Sequence, residues 1–403
     1  SAGPHLHLEL RRTETGEYID PMPYFKHLLK DSKAPVGSLI GIYPIQGKGV
    51  VNGSSHKKLL AIGNLKQPVH AWGEIYTGIS AKDYMDGTSN FYGVHSVTLY
   101  VNSVQVFNST TDKVLPDENR MINGFTDYEE LTRTRRLIMR SYKLPGNRLR
   151  LLHPNENRGA VTIDEERDYH FRYVLEDNFG NRRTYQFIVK GKRQDIPEYK
   201  PEANEMLYWN RTNVIQKPGM ELVVPRYYVY EDVPLRTDMR GDSSHIAFDY
   251  ILDAGRTPIH SYCDLSIGLR HMPVADTTKY YIVQKAGKWR SSMGGKYANG
   301  WIKTRVRSLG TFSVDVDTIA PQITPIGQGG WRTSRNIRFR IKDMESGIGS
   351  YKVYIDGKFV LFGLKKGILV IQDPEKVKKG VSHKLEVTVT DQCGNMTRKE
   401  YKF

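Results

Sequence analysis

Apolar and polar residues alternate along this chain in short runs, and the spacing of a helix is rare. The first run stands at the start. His5, His7, Glu9 and Arg11 fall on one side of an extended segment, and Leu6, Leu8 and Leu10 on the other. Runs of the same period recur at 69–75, 97–101, 169–174, 185–189, 221–230, 245–250, 280–283, 301–306, 310–314 and 385–390. Turn residues separate them: Asp356-Gly357 between two such runs is a hairpin signal, and Asp-x-x-Gly-Asn occurs at both 177–181 and 391–395. In that pentapeptide Gly supplies a positive φ while Asp and Asn hydrogen-bond the turn backbone, a structural role. Many short strands with turns between them predict sandwiches. One stretch departs from the pattern. At 126–142, Tyr128, Leu131, Arg135, Ile138 and Met139 approach helical spacing, and Thr126 with Glu129 three residues on forms a candidate capping box. A helical insertion is expected there, covering a sheet edge or reaching toward the N-terminal segment.

Composition agrees. At 403 residues the chain is long enough for about three domains. Thirty-nine per cent hydrophobic residues fill ordinary cores, and 25 Tyr suit half-wet pleated surfaces. The net charge of +15 invites a polyanion. The basic residues are scattered and form no nucleic-acid module, so an anionic cell envelope is the expected partner rather than nucleic acid. The densest run, Arg133-Thr134-Arg135-Arg136, reads as a solvated face. Cys263 and Cys393 lie far apart, which excludes a disulfide scaffold and fits two small buried hydrophobes. No apolar run approaches the length of a membrane span.

The chemistry is sparse. Alternate positions on a strand lie roughly 6.5–7 Å apart, so the imidazoles of His5 and His7 could converge on one ion. The pair by itself fits a polar edge-strand face equally well. Asp315-Val316-Asp317 could offer two carboxylates to calcium at a domain junction, or could be a solvated linker. Arg240-Gly241-Asp242 reads as an exposed turn. The remaining histidines show no ligand spacing, and there is no phosphate-binding glycine loop or serine nucleophile elbow.

The string Gly3-Pro4-His5-Leu6-His7-Leu8-Glu9-Leu10-Arg11, followed by Ile19-Asp20-Pro21-Met22-Pro23-Tyr24-Phe25, resembles the last motif and exit segment of lysostaphin/LytM-type zinc metallopeptidases, which cut peptide cross-links of bacterial cell walls. Leu8 stands where that family often has an aromatic and Asp20 where it often has Asn. The resemblance implies that His7 is a zinc ligand and His5 the catalytic acid/base acting on zinc-bound water. The family's other ligands, in a His-x-x-x-Asp motif, precede this pair and are not in the sequence, so the fragment alone is expected to be inactive. Further on, Asp317-Thr318-Ile319-Ala320-Pro321, then Asp343-Met344-Glu345-Ser346-Gly347 and Tyr351-Lys352-Val353-Tyr354-Ile355-Asp356-Gly357-Lys358, resemble bacterial immunoglobulin-like domains.

The expected architecture is therefore mainly β. A strand remnant of a β-rich peptidase domain at 1–33 precedes three immunoglobulin-like β-sandwich domains at 34–193, 194–318 and 319–403, the first with the helical insertion. Two functions follow. One is the C-terminal part of a periplasmic, outer-membrane-associated or secreted zinc metalloendopeptidase, with one zinc ion and peptidoglycan peptides as substrate. The alternative is a non-catalytic cell-surface adhesin or scaffold.

Overall fold

The computed structural model describes residues 7–403. The fold is mainly β, as the alternation predicts, and three separate apolar cores mark three sandwich units.

The N-terminal segment pairs Leu10–Arg11 with Tyr18–Ile19 across a turn, in which the Gly16 N–H donates to the Arg12 carbonyl at 2.8 Å. Tyr18–Ile19 also pairs with Lys113–Val114 of the first sandwich, so this small sheet is shared between the two. The strand expected from His5 to Arg11 is therefore much shorter within the described residues. No partner strand pairs with 7–9, and Leu8 is 58% exposed. Alternation without a neighbouring edge or core leaves backbone groups to water and forms no ladder. His5 lies outside the described residues.

The first unit is built on two 16-residue strands, Val36–Val51 and Val69–Tyr84. Val69–Tyr84 changes partners along its length: it pairs antiparallel with Val36–Val51, Met139–Arg140 and Val161–Ile163, and parallel with Arg182–Gly191. The expected hairpin is present. Asp168–Glu176 and Arg182–Gly191 run antiparallel around the turn at 177–181, burying Tyr169, Phe171, Tyr173 and Leu175 at every second position.

The helical insertion is shorter than expected. The α-helix covers Tyr128–Thr134, and its N-cap is Asp127, whose Oδ1 accepts the Glu130 N–H at 3.1 Å. The backbone of Thr126 forms a bridge with Met139, which displaces the cap by one residue. Arg135 ends the helix with φ at 64°, and the chain returns to the sheet at Met139–Arg140.

The second unit stacks a six-stranded sheet, running from Glu205–Leu207 to Trp289–Ser292, on a five-stranded sheet, running from Asn213–Lys217 to Lys296–Ala298. Two expected strands differ. Residues 226–230 form a turn with Tyr227 at φ 67°, and the strand expected at 245–250 begins instead at Asp249–Asp253. Asp242 Oδ1 holds Ser244 and the His245 ring in a loop just before it, so these residues cannot extend. The third unit packs two four-stranded sheets around Trp331, whose indole N–H donates to the Ile326 carbonyl at 2.9 Å. The Asp356-Gly357 turn has both φ values positive, 49° and 74°, as a two-residue hairpin of this type requires.

Candidate metal-ligating residues and domain junctions

The His7 ring is exposed. Its Nε2 lies 3.2 Å from Glu9 Oε2, and Arg11 Nε donates to the other oxygen of Glu9 at 2.8 Å. The hydrogen bonds from His7 and Arg11 hold the Glu9 carboxyl below its usual range. A catalytic zinc takes three protein ligands and keeps one open position. Among the described residues no group of three His, Cys, Asp or Glu side chains able to meet one ion contains His7. The described residues do not complete a zinc centre.

The polar groups that do converge lie where one unit meets the next. At the first junction Arg150 spans two buried carboxylates, with Nη2 donating to Glu17 Oε1 at 2.7 Å and Nε to Glu118 Oε1 at 2.8 Å. Beside it the Asn178 amide donates to Asp20 at 3.0 Å. Tyr230 closes the second junction. It belongs to the second unit in sequence, yet its ring is 2% exposed and sits in the core of the first. The Tyr230 hydroxyl donates to the Arg120 carbonyl at 2.9 Å and lies 3.0 Å from His260 Nδ1, while Gly146 N–H donates to the Tyr230 carbonyl at 2.7 Å. Gly124 and Gly146 leave room for this approach: a Cβ at Gly124 would stand 2.7 Å from the Tyr230 ring. The turn that replaces the expected strand at 226–230 is what delivers Tyr230 there.

The same junction holds a cleft of about 180 Å³ lined by Tyr43, Lys57, Asp127, Arg140, Glu231 and Arg256. Glu130, fully buried beside it, accepts from Arg133 at 2.7 Å and from Arg136 at 3.3 Å. Two arginines of the run expected to be a solvated face thus neutralise a buried carboxylate. Lys57 Nζ lies 2.9 Å from Asp127 Oδ2 and 3.1 Å from Glu129 Oε2. Burial alone would raise the carboxyls of Asp127 and Glu130. Their cationic partners outweigh it and hold both below the ordinary value. Glu231, an exposed residue, lines the same cleft without so close a partner.

At the third junction Tyr281, Val283 and Cys393 form a small apolar cluster. Lys279 Nζ donates to the Cys393 carbonyl at 3.0 Å, and the Asn395 amide donates to the Asp317 carbonyl at 3.0 Å. Asp315 and Asp317 do not converge as a calcium pair. Asp315 is bound to Arg290, whereas Asp317 turns inward to the Ile319 and Ser346 N–H groups. Asp317 instead groups with Asp343 and Asp391, and a second group of three, Asp31, Asp83 and Asp177, lies at the first junction. The sequence reading missed both. Their signal in the sequence is a three-part repeat, to which the two Asp-x-x-Gly-Asn turns belong.

Residues 204–317 match the family model of a Zu5-like domain. No curated protein matches the sequence. Among solved structures the chain is similar to a Ca²⁺-stabilized adhesin with which an Antarctic bacterium binds ice, at 10% identity over 89% of this chain and 98% of that one, with a TM-score of 0.16. It is also similar to the Bacteroides ovatus mixed-linkage glucan utilization locus protein SGBP-B in complex with a heptasaccharide, at 12% identity over 81% of this chain and 62% of that one, TM-score 0.14. A third is Sidekick-1 immunoglobulin domains 1–5, at 10% identity over 93% and 79%, TM-score 0.14. Among the described residues no helix is long and apolar enough to cross a membrane.

Proposed function

We propose that this chain is a non-catalytic cell-surface scaffold of adhesin type, a stiff arm of β-sandwiches that holds its ends at a fixed separation and orientation. One observation carries the reading: all three junctions are closed by contacts onto buried side chains, Glu17 and Glu118 beneath Arg150 at the first, Tyr230 at the second and Cys393 at the third, where a flexible tether would have a polar linker alone. The positive charge suits contact with an anionic envelope, whose surface would attract it at low salt. The test is a pull-down of the 403-residue chain with purified bacterial wall, followed by analysis of released peptides. Salt-sensitive binding without release is expected. Release of wall peptides by this chain refutes the scaffold reading.

The Gly3-to-Arg11 string supports a second reading, in which the scaffold is the C-terminal part of a zinc metalloendopeptidase acting on peptidoglycan, with His7 as a ligand and His5 as acid/base. Under it, a chain extended upstream carries a His-x-x-x-Asp motif, binds one zinc and loses it on His7→Ala. An extended chain without that motif, or with zinc retained in the His7→Ala variant, defeats this second reading.

A further inference from the structure

Three sequence elements occur twice, in the same order. Asp31-Ser32-Lys33-Ala34-Pro35 matches Asp317-Thr318-Ile319-Ala320-Pro321. The stretch Lys82-Asp83-Tyr84-Met85-Asp86-Gly87 matches Lys342-Asp343-Met344-Glu345-Ser346-Gly347. The turn Asp177 to Asn181 matches Asp391 to Asn395. Each set brings three carboxylates together at the entrance to a sandwich, one oxygen of each within 4.8 Å of the others. The scaffolding hydrogen bonds also match. Asp31 Oδ1 accepts the Lys33 N–H, and Asp317 Oδ1 the Ile319 N–H. Asp177 and Asp391 each accept two backbone N–H groups on Oδ1 and an Asn amide on Oδ2. That same Asn amide reaches the carbonyl of Asp31 in one set and of Asp317 in the other.

The two sets differ at one decisive place. In the third unit Ser346 donates both its N–H and its hydroxyl to Asp317 Oδ2, and no oxygen of that set is buried without a donor. In the first unit the matching residue is Asp86, which brings a fourth carboxylate instead of two donors and accepts from Ser32 Oγ. As a result Asp31 Oδ2 and Asp83 Oδ1 are buried with no hydrogen-bond partner. Asp83 is 7% exposed, and its carboxyl faces those of Asp31 and Asp177. Lys33 gives little relief. Its ammonium donates to the Met85 carbonyl and lies 4.0 Å from Asp86. Lys82 sits over the Phe91 ring. A buried carboxylate oxygen with no donor is costly, and one left beside two more carboxylates is costlier. A cation removes both penalties together.

We propose that Asp31, Asp83 and Asp177 bind one calcium ion at the junction between the N-terminal segment and the first sandwich, and that the matching Asp317, Asp343 and Asp391 bind none because Ser346 takes the cation's place. The donors are oxygens only, which selects a hard cation, and calcium tolerates an irregular carboxylate set completed by water better than magnesium does. The ion would tie the linker at Asp31 to both Asp83 on its strand and the Asp177 turn, setting the angle of the N-terminal segment.

The test is isothermal titration of the chelator-stripped 403-residue chain with CaCl₂, and separately MgCl₂, at physiological ionic strength. One calcium per chain is expected, with sub-millimolar affinity typical of extracellular modules. Asp83→Asn keeps the shape and removes one charge, so it is expected to fold and to weaken binding at least tenfold. Asp343→Asn is expected to change nothing. No calcium binding, unaltered binding in Asp83→Asn, preference for magnesium, or a second calcium lost on Asp343→Asn would each overturn the assignment. If Asp83→Asn does not fold, Asp31→Asn with the same readout replaces it. These titrations are independent of the wall-binding assay, so either result can fail without the other.

Discussion

Tyr230 is the most informative residue to perturb, because it joins two units that could otherwise unfold separately. Replacing it with Phe keeps the ring in the first core and removes the hydroxyl. That leaves the Arg120 carbonyl without this donor and His260 Nδ1 without its 3.0 Å partner. Arg120 and His260 are only half-buried, so water offsets part of the loss at each stranded group. Arg120 Nε still donates to the His260 carbonyl, so some of the contact survives, and the expected loss for Tyr230→Phe is about 1–3 kcal/mol in total. Tyr230→Ala also empties a space in the core of the first unit, for which large-to-small aromatic changes cost about 3–5 kcal/mol. A chain of several units is not a two-state system, so the measurement is differential scanning calorimetry of the whole chain. The native chain should show the first and second units melting together, Tyr230→Phe a lower shared transition, and Tyr230→Ala two separate transitions. A Tyr230→Ala profile that superimposes on the native one would refute both the coupling and the stiff-arm reading.

Further expectations concern the other junctions and buried groups. Glu130→Gln should destabilise the first unit by about 1–3 kcal/mol, since the buried side chain loses its charge-assisted hydrogen bonds from Arg133 and Arg136 while those half-exposed arginines keep their water, and urea denaturation measures it; an unchanged stability refutes the argument. Because Glu130 and Asp127 titrate below their ordinary values when folded, their contribution is full above about pH 4.5 and is lost as pH falls through their lowered folded values; a first unit whose stability does not drop in acid contradicts this. His383 lies 2.6 Å from Asp356, and its other nitrogen 2.7 Å from the Lys378 carbonyl. Burial pulls its pKa down, but these partners outweigh it and raise the pKa above 6.5, so its share of stability is present below pH 6.5 and lost as pH rises through the raised value; an NMR titration placing it below 6.5 is the contrary result. Burial pushes the thiols of Cys263 up to about 12 and of Cys393 up to about 11, so neither should react with a thiol reagent at pH 8 until the chain is unfolded.

The hairpins at 177–181 and at Asp356-Gly357, the alternating strands and the buried cysteines were all legible in the sequence, because period-two burial and positive-φ turns are local properties of a few residues. The site was legible only in part. The His5–His7 pair resembles a peptidase motif; His7 is exposed beside Glu9, and His5 is outside the described residues. Among the described residues the expected strand is absent at 7–9, since a strand needs a partner as well as a pattern. The turn at 226–230 reads as a strand because Tyr-rich alternation is the same whether a Tyr lines its own core or a neighbour's.

What the sequence determined by itself is the β-sandwich make-up, through the spacing of apolar residues and the chemistry of its turns. What only the tertiary structure decided is which distant residues meet: Tyr230 in another unit's core, Arg133 and Arg136 on Glu130, and Asp31, Asp83 and Asp177 around one point. The physical reason is burial. A carboxylate costs little in water wherever it stands in the sequence, and it demands a donor or a cation only once folding has taken the water away.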